Sequence, residues 1–428
     1  MEIEGNCIME QTITRRLCPQ ALTRRLFWLC AATYVIGCFG RLSYSSVMVD
    51  LIASGKMDMA QAGLIGTALF LVYGAFQLVS GLIGDRISPK KMVFTGVVGS
   101  GIINLLMGLS GQYTVMLVLW SVNGVFQSLI WSPVARIFAE QLPPEQRKRA
   151  ASNVAVTYPL ATVLTYLLSS AMLSIWNWRS VFLISAAMML AAGAYWMYRM
   201  SWFETQIARS EAVEVIRLHA NSKKETGSLL HLMLISGILL AAISSMTHGM
   251  LRDGIQTWLP SLMTDNFHFG TSASVALDIV VPFVNMFGVV LTKAIARRYI
   301  DNELKGAAGF FAVTIVALSL LGMVCDHSAV ASLLLLTVAS TCMVGANIML
   351  INLIPVHFGP IGRASSVTGM LNCAAYVGSA LSSFGIGAVA ESFGWSSAIW
   401  VWVAFSLLAL LTSCIGAKPW GKYEHSIS

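Results

Sequence analysis

Charge is scarce in this chain. Lys, Arg, Asp and Glu make up 11% of its 428 residues, 56% are hydrophobic, and the mean hydropathy is +0.72. Soluble domains carry about 25% charged residues, so this composition excludes an ordinary water-soluble globular domain and points to a membrane-embedded one. The net charge of +7 is not massed in a stripe that would suit nucleic acid. It is spread in short basic runs between apolar stretches, as in loops beside a bilayer. Eight cysteines are present, with no CxxC pair and no Cys/His metal spacing, which argues against a zinc site and leaves them as small apolar residues. Also missing are a Walker loop, HExxH, a GxSxG elbow and the kinase set. "GSGIINLLMG" (99–108) has the glycines of a nucleotide loop but no following lysine, and it lies inside an apolar stretch. No enzyme class and no cofactor is indicated, and any transport is expected to be secondary, driven by gradients.

What is abundant is long apolar sequence. A spanning helix needs about 20 largely apolar residues. Twelve such stretches run at 26–50, 61–84, 92–109, 113–139, 148–172, 179–200, 233–262, 273–297, 306–324, 330–354, 363–388 and 394–415. The first follows Arg15, Arg16, Arg24 and Arg25, is too long for a signal-peptide core and lacks a small-residue cleavage site, so it reads as an uncleaved helix. The polar connection 201–232 divides the spans six and six. The expected organisation is an all-α membrane protein of twelve transmembrane helices in two pseudo-symmetric six-helix bundles, 1–200 and 233–428, joined by a central loop. Basic residues crowd the even-to-odd connections and both ends, while the opposite loops hold only Lys56 and Arg179. By the positive-inside rule, both termini and the central loop are expected in the cytoplasm, in a bacterial inner membrane.

The halves echo one another. "RAASNVAVTYPLATVL" (149–164) and "RASSVTGMLNCAAYVG" (363–378) open spans 5 and 11, and Arg149 and Arg363 lie 214 residues apart. "NWRSVFLISA" (177–186) parallels "GWSSAIWVWV" (394–403), and Arg41 precedes Arg252 by 211 residues. A shared offset near half the chain is what duplicated halves produce.

"GLIGDRISPKK" (81–91) joins spans 2 and 3. Its glycines permit close helix approach, Asp85 can accept from helix N-terminal amides, and Arg86, Lys90 and Lys91 suit a cytoplasmic loop. The stretch resembles the Gly-x-x-x-Asp-Arg-x-x-x-Arg/Lys signature of the major facilitator superfamily, whose members have twelve spans divided six and six. The matching second-half loop, "GVVLTKAIARR" (288–298), lacks the Asp-Arg pair. "FGRLSY" (39–44), "YGAFQLVSGLIGDRISP" (73–89), "NGVFQSLIWSPVAR" (123–136) and "LRDGIQTWLPSLM" (251–263) are similar to the organophosphate:phosphate antiporter family, which includes glycerol-3-phosphate and hexose-phosphate transporters. The resemblance implies that Arg41 and Arg252 clamp phosphate at the midplane. It also carries departures. Leu42 and Gln77 stand where glycerol-3-phosphate-type members have lysines, and span 5 offers Tyr158 where they have a histidine.

The residue chemistry points the same way. An arginine inside a spanning helix costs about 2.5–3.5 kcal/mol on insertion scales, and its planar fork of donors matches phosphate or carboxylate. Two arginines from two halves would hold a dianion. The competing reading pairs Arg252 with a neighbouring acid, Asp253 or Asp278. His248 lies one turn before Arg252 on the same face. Tyr44, Tyr158, Asn372 and Tyr376 could bond a sugar or polyol, or could equally make interhelical bonds. Asp278, Asp85 and Arg86 are the coupling or gating candidates. The leading expectation is therefore a monomeric secondary transporter, surrounded by lipid, that exchanges a small organic anion for inorganic phosphate. Proton-coupled symport of an anion such as a sugar acid, and a non-transporting sensor of sugar phosphate, are the alternatives.

Overall fold

The computed structural model describes residues 11–53, 57, 59–218, 236–268 and 271–427, with side chains outside the description at some helix positions, 271–279 among them. The described residues of the twelve apolar stretches are almost wholly helical, though helices and stretches do not match one to one. In chain order the helices are α1 (Gln20–Ala53), α2 (Met59–Gly84), α3 (Pro89–Leu109), α4 (Tyr113–Gln141), α5 (Pro144–Asn153), α6 (Thr157–Ile175) and α7 (Trp178–Ala208), then α8 (Ile238–Phe267), α9 (Thr271–Tyr299), α10 (Glu303–Val324), α11 (Ala329–Asn347) and α12 (Ala364–Ile427). Among the described residues, nine helices are long and apolar enough to cross a membrane. α8, which carries Arg252, Asp253 and Asp265, is not among them, and α9 contributes the shorter apolar segment Val280–Ala296.

Local sequence explains the starts and breaks. Pro89 and Pro144 sit in the first turns of α3 and α5, where a missing N–H costs nothing. Asn177, Asn302 and Ser328 accept from the first amides of α7, α10 and α11, satisfying donors that a helix start leaves open. The stretch 148–172 is not one helix. It divides at a 3₁₀ turn, Val154–Val156, because the ring of Pro159 crowds the carbonyl four residues earlier and offers no N–H in return. α11 likewise loosens into a π turn, Ile348–Leu353, and a 3₁₀ turn, Ile354–Phe358, around Pro355. Gly394, at φ 82°, breaks α12 between the last two apolar stretches, a left-handed conformation that costs glycine little.

The buried residues form separate cores. Tyr44, Trp120 and Phe182 belong to one, and Leu26, Val134, Phe138 and Trp196 to another, both drawn from residues before Ala208. Leu251, Phe311, Met349, Trp402 and Trp420 belong to a third, drawn almost wholly from residues after Ser236. Outside, Leu167, Phe283, Phe287, Leu291, Leu334 and Leu411 are exposed. A belt of that kind suits hydrocarbon rather than water.

Helix pairs approach where side chains vanish. A Cβ on Gly249 would lie 1.9 Å from the Ala375 carbonyl, and one on Gly378 would lie 1.8 Å from that of Met246, so α8 and α12 touch backbone to backbone. Between α2 and α12, a Cβ on Gly369 would lie 2.4 Å from the Gln77 carbonyl and 2.7 Å from Gly81 Cα. Small residues at such crossings are a common membrane packing device.

One feature lay beyond the apolar pattern. β1 (Gln11–Arg16) pairs antiparallel with β2 (Val213–Leu218), Gln11 opposite Leu218 and Arg16 opposite Val213. The central connection is thereby tied to the segment before α1, and α7 runs on to Ala208 before it begins. Arg147 fixes the sheet to α5 with a bidentate bond to Glu214, at 2.9 and 2.6 Å.

Candidate anion site

A cavity of about 940 Å³, including the part open to solvent, lies between the helices before Ala208 and those after Ser236. Arg41, Tyr73, Tyr158, Arg252, Asn372 and Tyr376 line it. Both proline breaks open onto it, bringing Val154, Ala155 and Tyr158 from one and Asn347, Ile351 and Asn352 from the other.

α1 is held in place by amides. Asn123 Nδ2 and Asn104 Nδ2 donate to the Gly40 carbonyl at 2.7 and 3.0 Å, and Gln127 Nε2 donates to that of Gly37 at 2.9 Å. With the backbone of the turn before it fixed, Arg41 projects into the cavity wall, 7% exposed. Its Nη1 donates to the Tyr376 hydroxyl at 3.1 Å. Its guanidinium carbon lies 4.9 Å from the Tyr158 ring centre and 5.5 Å from that of Tyr73. Among the described residues no carboxylate reaches it, and its Nε has no partner. Aromatic faces stabilise a guanidinium by about 0.5–2 kcal/mol, well short of the several kcal/mol that burying an ion costs.

Arg252 is different. Nε and Nη2 donate to the two carboxylate oxygens of Asp253 at 2.6 and 2.8 Å, and Ser379 donates to Asp253 Oδ2 at 2.6 Å. Of the two acids weighed from the sequence, Asp253 is the partner. Asp278 lies on α9, but its side chain is outside the described residues. A pair of open arginines is therefore not what the cavity holds: among the described residues, one is free of acid and one is neutralised. Tyr376 connects them, bonded to Arg41 through its hydroxyl and with its ring centre 5.5 Å from the Arg252 guanidinium carbon.

Asn372 lines the cavity with its Nδ2 buried and unpartnered among the described residues. Arg41 Nε and Asn372 Nδ2 are thus two unmet donors, and buried donors seek acceptors. Their complement is a ligand rich in acceptor oxygens.

The remaining candidates fall elsewhere. Tyr44 does not line the cavity: its hydroxyl donates to the Ala62 carbonyl at 2.8 Å and its ring packs on Trp120. His248 is fully buried, neither ring nitrogen meets a partner among the described residues, and it does not line the cavity. Arg86 is exposed. Asp85 accepts from the Ser365 and Ser366 amides at 3.0 and 3.2 Å, at the start of α12. Burial pushes its carboxyl above the ordinary value, against the pull of the Ser366 and Ser365 bonds and of Arg136. Sequence reasoning did not single out Tyr34, Tyr73, Gln256, Asn285, Asn347 or Asn352. The available signal was amides on otherwise apolar helices, which are costly in a bilayer unless they face a cavity or a partner.

At the face bearing the basic connections, further contacts join the two sets of helices. Lys148 Nζ lies 3.6 Å from Glu303 and 3.5 Å from Glu424. Arg15 donates to the Gly359 carbonyl at 2.7 Å, and Lys293 donates to Asn153 at 2.9 Å.

Known proteins bear on this arrangement. The family model described as Major Facilitator Superfamily matches residues 30–383. A probable hexose phosphate transport protein of Chlamydia muridarum is 22% identical over 94% of this chain and 92% of its own. The membrane sensor protein UhpC of Salmonella typhimurium is 23% identical over 90% of this chain and 87% of its own. Among solved structures, the human organic anion transporter MFSD10 superposes with a TM-score of 0.70 at 15% identity, covering 91% of this chain and 99% of that one. The matched model extends over most of the chain: it belongs to the Major Facilitator Superfamily and is a transporter rather than an enzyme.

Proposed function

We propose that this chain is a secondary active transporter that carries a small organic anion, phosphorylated in the leading reading, by alternating access and in exchange for inorganic phosphate. The observation that carries the reading is Arg41, a buried guanidinium with no acid among the described residues, beside unmet donors in a cavity shared by both sets of helices. The similarity to a hexose phosphate transport protein supports the phosphorylated class.

In this reading the bundles 1–200 and 233–428 rock around the cavity, linked by 201–232, with both termini in the cytoplasm of a bacterial cell. The bonds of Asp85 to α12 and of Lys148 to Glu303 and Glu424 hold the cytoplasmic face shut. An anion at Arg41 removes an uncompensated charge from the cavity, which lowers the cost of closing the opposite face around it. The empty carrier keeps that charge buried and does not reorient readily, which enforces exchange.

The test is uptake of radiolabelled phosphate into liposomes holding the purified chain, loaded or not with phosphate. Uptake that needs internal phosphate, is competed by a hexose phosphate and is lost in Arg41→Ala is expected. Uptake driven by a proton gradient without internal phosphate would replace exchange with symport. A second reading, a non-transporting sensor, is favoured by the similarity to UhpC. It predicts anion binding with no uptake in either arrangement.

A further inference from the structure

Among the described residues, Asp253 is the one carboxylate bonded to an arginine that lines the cavity, and it occupies the fork that an anion would use. Both of its oxygens are engaged, Oδ1 by Arg252 and Oδ2 by Arg252 and by Ser379. Among the described residues, the charged and polar groups around the pair are Tyr158 from α6, His248 one turn back on α8, and Tyr376 and Ser379 from α12, with Arg41 from α1 bonded to the far side of Tyr376. Among these, Arg41 alone is charged and free of acid. Counted over the described residues, the resting cavity therefore carries one positive charge in excess, not two.

We infer that Asp253 sets the charge of the anion this cavity accepts: with Arg252 neutralised, the site takes one negative charge at Arg41 and disfavours two. The inference rests on the anion-carrier reading. A singly charged oxyanion leaves the occupied cavity neutral. A doubly charged one leaves a net negative charge next to Asp253, and in a cavity of low dielectric such like-charge repulsion is strong. Excluding the wrong charge state in this way is specificity by repulsion. Ser379 takes part as a positioning residue, because its hydroxyl holds the carboxylate in the plane that presents both oxygens to Arg252.

The experiment uses two oxyanions of similar size whose charges do not change with pH, radiolabelled sulfate as dianion and radiolabelled methyl sulfate as monoanion. Equilibrium binding to the purified full-length chain is measured at constant ionic strength, with Arg41→Ala as the background. The wild type is expected to prefer methyl sulfate by about tenfold or more, and Asp253→Asn, which keeps the shape and removes the charge, to reverse that order. Should Asp253→Asn fold poorly, Ser379→Ala keeps the charge but loosens its hold on Arg252, and it should narrow the preference by about threefold. An order unchanged in both variants, with binding still dependent on Arg41, overturns the inference and leaves the anion site standing. A wild type that binds neither anion above background overturns the inference together with the anion site. Phosphate exchange in liposomes tells these two failures apart, since it persists only in the first.

Discussion

At the scale of single residues, the cavity is defined by an asymmetry between two arginines. Arg41 has rings and a hydroxyl around it, and Arg252 has a carboxylate. The difference predicts unequal responses to the same change. Arg41→Lys keeps the charge but loses the planar fork and much of the stacking on Tyr158, so anion affinity should fall about tenfold. Tyr376→Phe removes the hydroxyl that accepts from Arg41 Nη1. A hydrogen bond to a charged group contributes about 1.5–3 kcal/mol, so the freed guanidinium should lose its fixed direction and binding should weaken by at least about tenfold. Equilibrium dialysis with radiolabelled phosphate measures both. An Arg41→Lys chain binding as tightly as wild type would mean that charge, not geometry, selects the anion. At this scale the sequence was half legible. A costly arginine in an apolar helix advertises a role, but nothing in the spelling of "HGMLRDG" decides between Asp253 and Asp278 as its partner. Adjacent residues on a helix do not normally face one another, and it took the structure to show both Asp253 oxygens turned back onto Arg252. Tyr44, read as a candidate contact to a sugar or polyol, points away, because its hydroxyl donates to the Ala62 carbonyl.

At the scale of elements, helix breaks make the binding surface. Pro159 interrupts 148–172 one residue after Tyr158, which then reaches Arg41. Pro159→Ala would restore an N–H and remove a ring clash, so it should raise the thermal midpoint while weakening phosphate binding. A higher midpoint with phosphate binding unchanged would show that the break is unrelated to binding. Gly369→Leu tests the α2–α12 crossing, where even a Cβ has no room. It should destabilise the chain or force the basic face apart, and limited proteolysis of 201–232 should then accelerate. Legibility is best here. Among the described residues apolar length located the helices but not the break at Val154–Val156, and Gly394 separates the last two stretches. The unread part, β1 with β2, is short, and its pairing joins segments on opposite sides of seven helices. No local pattern encodes a pairing of that sequence separation, because its stability comes from contacts such as Arg147 with Glu214.

At the scale of the whole molecule, the contacts of Asp85, Lys148, Arg15 and Lys293 describe a chain closed at one face. Only the Lys148 contacts are ion pairs, which stabilise by about 0–1 kcal/mol each when half-exposed. The others are hydrogen bonds that contribute about 0.5–3 kcal/mol each, so the closed state should yield to a few changes. Asp85→Asn combined with Lys148→Ala should populate the open form. Spin labels at exposed Glu145 and Lys305, in a chain freed of native cysteines, should then report a second, longer distance. A single unchanged distance would mean that the glycine crossings, not the polar bonds, keep the face shut. All of this serves one claim, that the cavity holds an anion at Arg41. The most direct measurement is equilibrium dialysis of radiolabelled phosphate against purified wild type, Arg41→Ala and Tyr44→Phe, the last changing a tyrosine outside the cavity. The account predicts saturable binding to wild type and Tyr44→Phe, and none to Arg41→Ala. Saturable binding that survives in Arg41→Ala, or is absent from a folded wild type, would contradict it.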